Sequence, residues 1–250
     1  MKKPKTALFT ALIAAVCAAF AAVPPTGGAP ARAARRAAER EEICSVTSVF
    51  SEGGEESTVR LYASGGEGSP YRTDIVLCAE GGACFAPPED SGYSPSLAAL
   101  DFLGKGYDQL FYAASTGGSG GFGYYYVFDL SEGAEVLFDA AATDNPFSAA
   151  FADGGYVEVF WGGGSFARFD VSDGPYGDML WKDGRYVGSA EAYVTPVNYV
   201  QPVYEPYKDR FGLLLWQRAV GCCSADTAGY LVRRLDLRSG ECFPPRSAAV

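Results

Sequence analysis

From Ile43 onward, short aromatic or β-branched runs alternate with glycine-containing turns, the pattern of antiparallel β structure. The runs cover Ile43 to Phe50, Ser57 to Ala63, Thr73 to Cys78, Leu110 to Ala114, Phe122 to Leu130 and Glu135 to Asp139. They continue at Phe147 to Ala152, Tyr156 to Trp161, Ser165 to Val171, Met179 to Trp181, Arg185 to Val187, Gly212 to Ala219 and Tyr230 to Leu237. Turns such as Ser131-Glu132-Gly133, Asp153-Gly154-Gly155 and Lys182-Asp183-Gly184 stand between them, where glycine supplies the positive φ of a tight reversal. Neighbouring runs are therefore expected to pair as hairpins. In Phe122 to Leu130, one face carries Phe122, Tyr124, Tyr126, Phe128 and Leu130 and the other Tyr125 and Val127, which predicts a central strand covered on both sides. One short helix is expected at Ser94 to Leu100, where Ser-Pro-Ser precedes Leu-Ala-Ala-Leu. The segment 43–250 thus reads as a single all-β domain, a size such domains reach at roughly 200 to 250 residues.

The chain before Ile43 has a different character. Lys2, Lys3 and Lys5 precede an apolar stretch from Ala7 to Val23, and Ala19-Phe20-Ala21 places small residues where a signal peptidase needs them. Residues 1–21 are expected to be a signal peptide cleaved after Ala21. An uncleaved anchor is the alternative, with a run at the short end of the roughly 17 to 25 residues a bilayer span takes. A lipoprotein reading of Cys17 is opposed by Val16, where a small residue is wanted. Residues 22–42 are a linker rich in Ala, Arg, Glu and Pro, with helical character expected near Ala33 to Glu42. Nothing after Val23 is long and apolar enough for a membrane helix. The expected location is secreted or cell-envelope.

Net charge is −10, and losing the three leader lysines makes the remainder three units more negative. Such a chain repels phosphate backbones, which argues against a nucleic-acid partner. Cys17 leaves with the leader, and Cys44, Cys78, Cys84, Cys222, Cys223 and Cys242 remain. An even number in an exported chain suggests three disulfides whose pairing is open. The local pair Cys78–Cys84 is favoured by the glycines between its members. Cys222 and Cys223 are expected to find different partners, with Cys242 and Cys44 the candidates.

Leu100-Asp101-Phe102-Leu103-Gly104-Lys105-Gly106-Tyr107-Asp108-Gln109-Leu110-Phe111 resembles the turn-and-strand core of FG-GAP or VCBS-type repeats, the blades of integrin-like β-propellers. The resemblance implies a partial or rearranged propeller-like arrangement, with a β-sandwich as the alternative. In that family, oxygens from alternate loop positions surround calcium. Here Asp101 keeps the first position, but Leu103 and Lys105 replace the next ligands, Tyr107 follows, and Gln109 stands for the terminal carboxylate. Lysine in such a loop repels the ion, so no calcium is expected, and Lys105 is expected to pair instead with Asp101 or Asp108. A fainter copy at Val203 to Leu215 aligns Lys208 with Lys105.

The chain has no histidine, which removes Ser-His-Asp triads, Cys-His dyads and His-ligated zinc, and oxidised cysteines remove a thiolate nucleophile. Paired carboxylates stay open, with Asp101, Asp108, Glu158, Asp170, Asp173 and Asp178 as candidates. Gly117-Gly118-Ser119-Gly120-Gly121 and Gly162-Gly163-Gly164 are followed by strands rather than helices, so they read as hairpin loops and not phosphate cradles. Tyr124, Tyr126, Trp161, Trp181 and Trp216 are the aromatic candidates for ligand contact, against a reading in which they fill the core. The sequence therefore points to a non-catalytic binding or interaction module for glycan or protein, without cofactor. A carboxylate-dependent hydrolase and a structural envelope protein are the alternatives.

Overall fold

Strand β1 (Glu41–Val49) opens a meander that continues through β2 (Glu56–Ser64), β3 (Tyr71–Ala79), the short β4 (Cys84–Phe85), β5 (Gly92–Leu100), β6 (Gln109–Ser115), β7 (Gly123–Asp129) and β8 (Glu135–Asp139). A computed structural model describes residues 40–248 apart from 67, 82, 83 and 175, so the expected leader and most of the linker lie outside the described residues. The protein is all-β with antiparallel sheets. The first eight strands form one sheet, ordered β1-β2-β3-β5-β6-β7-β8 with β4 on β3, curled into a half-barrel. A three-stranded sheet follows, with β10 (Tyr156–Trp161) between β9 (Ser148–Ala152) and β11 (Ser165–Asp170). One helical turn, α1 (Gly177–Leu180), leads into the hairpin β12 (Trp181–Lys182) and β13 (Arg185–Tyr186). The last sheet is built on β16 (Arg210–Val220) and β17 (Thr227–Asp236). Around them lie β14 (Tyr193–Val194), β15 (Tyr199–Glu205), β18 (Glu241–Cys242) and β19 (Arg246–Ala248).

Alternation along β7 decides how the two halves meet. Tyr126 and Phe128 enter a cluster inside the curl with Val59, Leu61, Ile75, Leu77 and Leu110, while Tyr125 and Val127 face a second cluster with Val200, Leu213 and Leu215. Strand β7 is therefore apolar on both faces, as its sequence predicts, because each face has its own sheet to cover it. A third cluster joins Val157, Val159 and Phe169 of the three-stranded sheet to Ala219, Ala228 and Leu231 of the last sheet. Phe169 packs so closely on Gly229 that a Cβ there would stand 2.2 Å from its ring. Each fully buried Leu or Val contributes roughly 1.5–3 kcal/mol, so these clusters are the main cohesive term.

The helix expected at Ser94 to Leu100 is instead part of β5. Leu97 and Ala99 pack against the first cluster and Ala98 and Leu100 against the second. Burial on two faces with period two overrides the helix preference of a Leu-Ala-Ala-Leu run. Pro95 sits in the irregularity between Tyr93 and Ser96, outside the regular ladder. Met179, expected in a strand, lies in α1, and the strand begins at Trp181.

Register shows an internal regularity. Leu61 pairs with Leu77, Leu110 with Phe128, Val157 with Phe169 and Leu213 with Leu235, the first members standing 47 to 56 residues apart. In each case a third strand flanks the pair, giving four three-stranded meanders. The residue after the second member is Cys78, Asp129, Asp170 or Asp236. The last three open turns of related sequence: Asp129-Leu130-Ser131-Glu132-Gly133, Asp170-Val171-Ser172-Asp173-Gly174 and Asp236-Leu237-Arg238-Ser239-Gly240. In the first meander Cys78 occupies the equivalent position and bonds across the turn to Cys84. The first two meanders are fused into one sheet, because β3 pairs with β5 through Tyr71–Tyr93 and Arg72–Gly92.

Candidate functional site

The Asp101 loop joins β5 to β6. Its first carboxylate is turned onto the loop's own backbone: Oδ1 accepts from the Gly104 and Lys105 amides at 2.6 and 3.2 Å, and Oδ2 from Gly106 at 3.0 Å. Leu103 and Tyr107 fold inward and are buried. Gln109, fully buried, accepts from the amides of Phe102 and Leu103 and donates to the Tyr107 carbonyl. Lys105 does not pair with Asp101 or Asp108. Its Nζ donates to the Tyr107 hydroxyl at 3.0 Å and stands 3.9 Å from Asp129 Oδ2. The reason is that Asp101 is consumed by the loop amides, while Asp108 accepts from Ser48 Oγ at 2.5 Å.

The segment 203–215 spans the β15–β16 hairpin and carries Lys208 in its turn. Lys208 Nζ lies 2.5 Å from Asp236 and 3.1 Å from Glu205, and Arg210 lies 2.7 Å from Asp236. Burial alone would raise the Asp236 carboxyl. Hydrogen bonds from Lys208 and Arg210, with the Ser239 amide, outweigh it and bring the group down to about 2. Asp129 and Asp236 thus occupy matching corners, each closing a turn through its Oδ1, to the Ser131 and Arg238 amides. Asp170 closes the third such turn on Ser172 through its amide and hydroxyl, whose hydrogen bonds hold the carboxyl below its usual range.

The other candidate carboxylates are also occupied or solitary. Glu158 pairs with Arg168, and Asp173 and Asp178 are exposed. Among the described residues, no group of three or more cysteines and carboxylates gathers at metal-binding distance. No described helix is long and apolar enough to cross a membrane. Of the cysteines, Cys78 and Cys84 are bonded, while Cys44, Cys222, Cys223 and Cys242 are thiols in the structure. The two glycine clusters connect β6 to β7 and β10 to β11, both antiparallel pairs.

The aromatic candidates divide. Tyr126 is buried in the first cluster, with its hydroxyl pushed up to about 12 by desolvation, and Tyr124 packs against the same cluster. Trp161 packs edge-to-face on Phe147 against the third cluster. Trp181 donates from Nε1 to the Ala152 carbonyl at 2.8 Å and stands edge-on to Phe151. Trp216 is half-buried beside Tyr230, and its buried Nε1 has no hydrogen-bond partner among the described residues.

The most accessible aromatic pair lies elsewhere, on the outward face of the three-stranded sheet. Val157 and Val159 point inward and are fully buried, so alternation turns Tyr156, Glu158 and Phe160 out. From β11, Phe166 and Arg168 join them, facing Phe160 and Glu158 across the hairpin. Phe160 and Phe166 are 39% and 57% exposed, with ring centroids 6.3 Å apart. Arg168 pairs with Glu158 and lies 4.7 Å above the Tyr156 ring. On β9, Ser148 and Ala150 oppose Phe160 and Glu158, so the face is flat beside the aromatics. Strand β11 pairs only with β10 among the described residues, which leaves its outer edge without a ladder. The signal for this face was present in the sequence: two phenylalanines placed symmetrically about Gly162-Gly163-Gly164 must meet on one side of a hairpin. No protein-family model, curated protein or solved structure matches the chain.

Proposed function

We propose that this chain is an exported, non-catalytic β-rich module that binds a protein partner through the outward face of its three-stranded sheet. The observation that carries the reading is the exposed Phe160–Phe166 pair, framed by the Tyr156–Arg168–Glu158 strip and flanked by small residues. Exposed large aromatics beside a charged strip are what protein contacts use. Phenylalanine has no polar tip to orient a sugar, and the nearby charges are committed to each other, which favours protein over glycan. The ladder-free edge of β11 offers a second element, since an extended partner segment can add a strand there. The positively charged leader with its small-residue cleavage site supports export to the cell envelope or medium.

The four meanders and their recurring Asp turns favour a degenerate, rearranged form of an FG-GAP/VCBS-like repeat array over an unrelated sandwich. The fusion of the first two meanders into one sheet is the departure from separate propeller blades.

The test is site-specific photocrosslinking from position 166 in the producing cell, together with a glycan array probed by the labelled protein. The reading expects a discrete protein adduct that disappears when Phe160→Ser is added. Array binding abolished by Phe166→Ser would move the ligand to glycan. Absence of both adduct and array binding would sink the binding reading.

A further inference from the structure

The loop between β16 and β17 carries two adjacent cysteines, Cys222 and Cys223, at the point where the hairpin reverses. Sequence reasoning assigned them separate partners in Cys242 and Cys44; the register places Cys242 out of reach, and Cys44 packs against a different core cluster. Cys242 pairs with Leu235, which pairs with Leu213, and Leu213 lies seven residues from the Val220 end of β16. At a strand rise of about 3.3 Å per residue, Cys242 stands roughly 23 Å from the Cys222 loop, whereas a disulfide tolerates about 7 Å between Cα atoms. Cys44 packs into the first cluster, inside the curl of the eight-stranded sheet, and burial raises its thiol pKa. The opposite faces of β6 and β7 meet the half of the molecule that holds Cys222.

The loop is held firmly around the pair. Asp226 Oδ2 accepts from the Cys222 amide at 2.8 Å, and the Asp226 amide donates to the Cys223 carbonyl. The buried Arg218 donates to the Ser224 carbonyl at 2.7 Å and to Gly120 of the β6–β7 loop at 2.8 Å. Cys223 is exposed, with its sulfur 3.8 Å from the Tyr176 hydroxyl. Tyr176 and Asp226 both line a small, shallow cleft whose remaining walls include Phe151, Leu180 and Trp181. The cysteine pair is therefore bonded, through Asp226 and Tyr176, to two residues of that cleft.

We infer that Cys222 and Cys223 form a reversible vicinal disulfide with each other, and that its redox state sets the shape of the Tyr176–Asp226 rim of this cleft. The inference rests on the export reading only for the oxidising surroundings in which the bond forms. The oxidant is a dithiol–disulfide partner, protein or small molecule. Cys223, the exposed member, attacks it as thiolate and releases one oxidant thiol. Cys222 then attacks the Cys223 sulfur and releases the second. Two protein thiols lose two electrons and two protons, and one oxidant disulfide gains them. The eight-membered ring that joins adjacent cysteines contains the peptide bond between them and forces it away from its relaxed planar trans geometry, so the bond is easily reduced and suits a switch more than a staple.

The purified protein equilibrated with oxidised glutathione, then alkylated and digested, tests this. The tryptic peptide from Ala219 to Arg233 is expected to be two hydrogens lighter, unalkylated and free of glutathione, with Cys44 and Cys242 alkylated. On titration with a dithiol this bond is expected to open at about hundredfold lower reductant than Cys78–Cys84. Trp181 fluorescence is expected to change with it in the parent chain and not in Cys223→Ser. A link from Cys222 or Cys223 to Cys242 or Cys44 overturns the inference. So does a stable glutathione adduct, or a pair that alkylates freely while Cys78–Cys84 is bonded in the same sample. Export is read separately by fractionating the host: recovery of the protein only from the cytoplasm defeats that reading and leaves the disulfide result standing.

Discussion

The corners at Asp129 and Asp236 occupy the same position in their meanders, yet their charges are met differently. Asp236 has two cations at 2.5 and 2.7 Å, whereas Asp129 has only the half-exposed Lys105 at 3.9 Å. Loop length explains the contrast. The long β5–β6 connection folds back on itself, with Asp101 and Gln109 satisfying its amides, and this holds Lys105 against Tyr107. The β15–β16 turn is short, so Lys208 reaches directly onto Asp236. A loop at such a corner can thus be stabilised through its own backbone hydrogen bonds or through ion pairing.

The largest effect is expected at the tighter corner. Asp236→Asn leaves Lys208 and Arg210 facing a neutral group and should cost about 3 kcal/mol, lowering Tm by roughly 6–12 °C in a thermal melt. The same residue predicts a pH dependence. Its folded-state pKa, about 2, is depressed from the ordinary 3.8. Its contribution, about 2 kcal/mol, is therefore full above the unfolded value and is lost as pH falls through the folded one. Denaturation profiles between pH 5 and pH 2 should steepen less in Asp236→Asn than in the parent chain, and equal slopes would remove Asp236 from the acid limb.

Next comes Gln109→Leu, which strands the amides of Phe102 and Leu103 in the interior and should cost about 2–3 kcal/mol in urea titration. Asp101→Ala removes the acceptor for three loop amides that water can reach, so about 1 kcal/mol is expected. The smallest effect belongs to Lys105→Met, whose melting curve should stay close to that of the parent chain, because its pairing is long and exposed. If Lys105→Met matched Asp236→Asn in cost, the contrast between the corners would collapse. Millimolar calcium should leave the melting curve of the parent chain unmoved, since Asp101 already spends both oxygens on amides.

Much of the sheet was legible because alternation records burial directly. Strands β8 and β10 lie where the pattern put them, and the two apolar faces of β7 foretold the two clusters that meet there. Strand β5 was not legible, since Leu-Ala-Ala-Leu carries a helical preference that only neighbouring sheets on both sides overturn. The Asp129, Asp170 and Asp236 turns were written in the chain as recurring Phe/Leu-Asp-Leu/Val segments, but their equivalence became visible only through strand register. The aromatic face was half legible: Trp161 drew notice, yet it is its neighbour Phe160 that points outward.

The sequence by itself determined the all-β character, the turn positions, the absence of histidine chemistry and the local Cys78–Cys84 bond, because these depend on residue type and short spacing. Tertiary structure alone decided which acid Lys105 meets, which aromatics reach solvent and which cysteines are too far apart to join. Those outcomes depend on which strands lie side by side, and pairing between distant segments is fixed by the packing of whole sheet faces and not by any one segment's pattern.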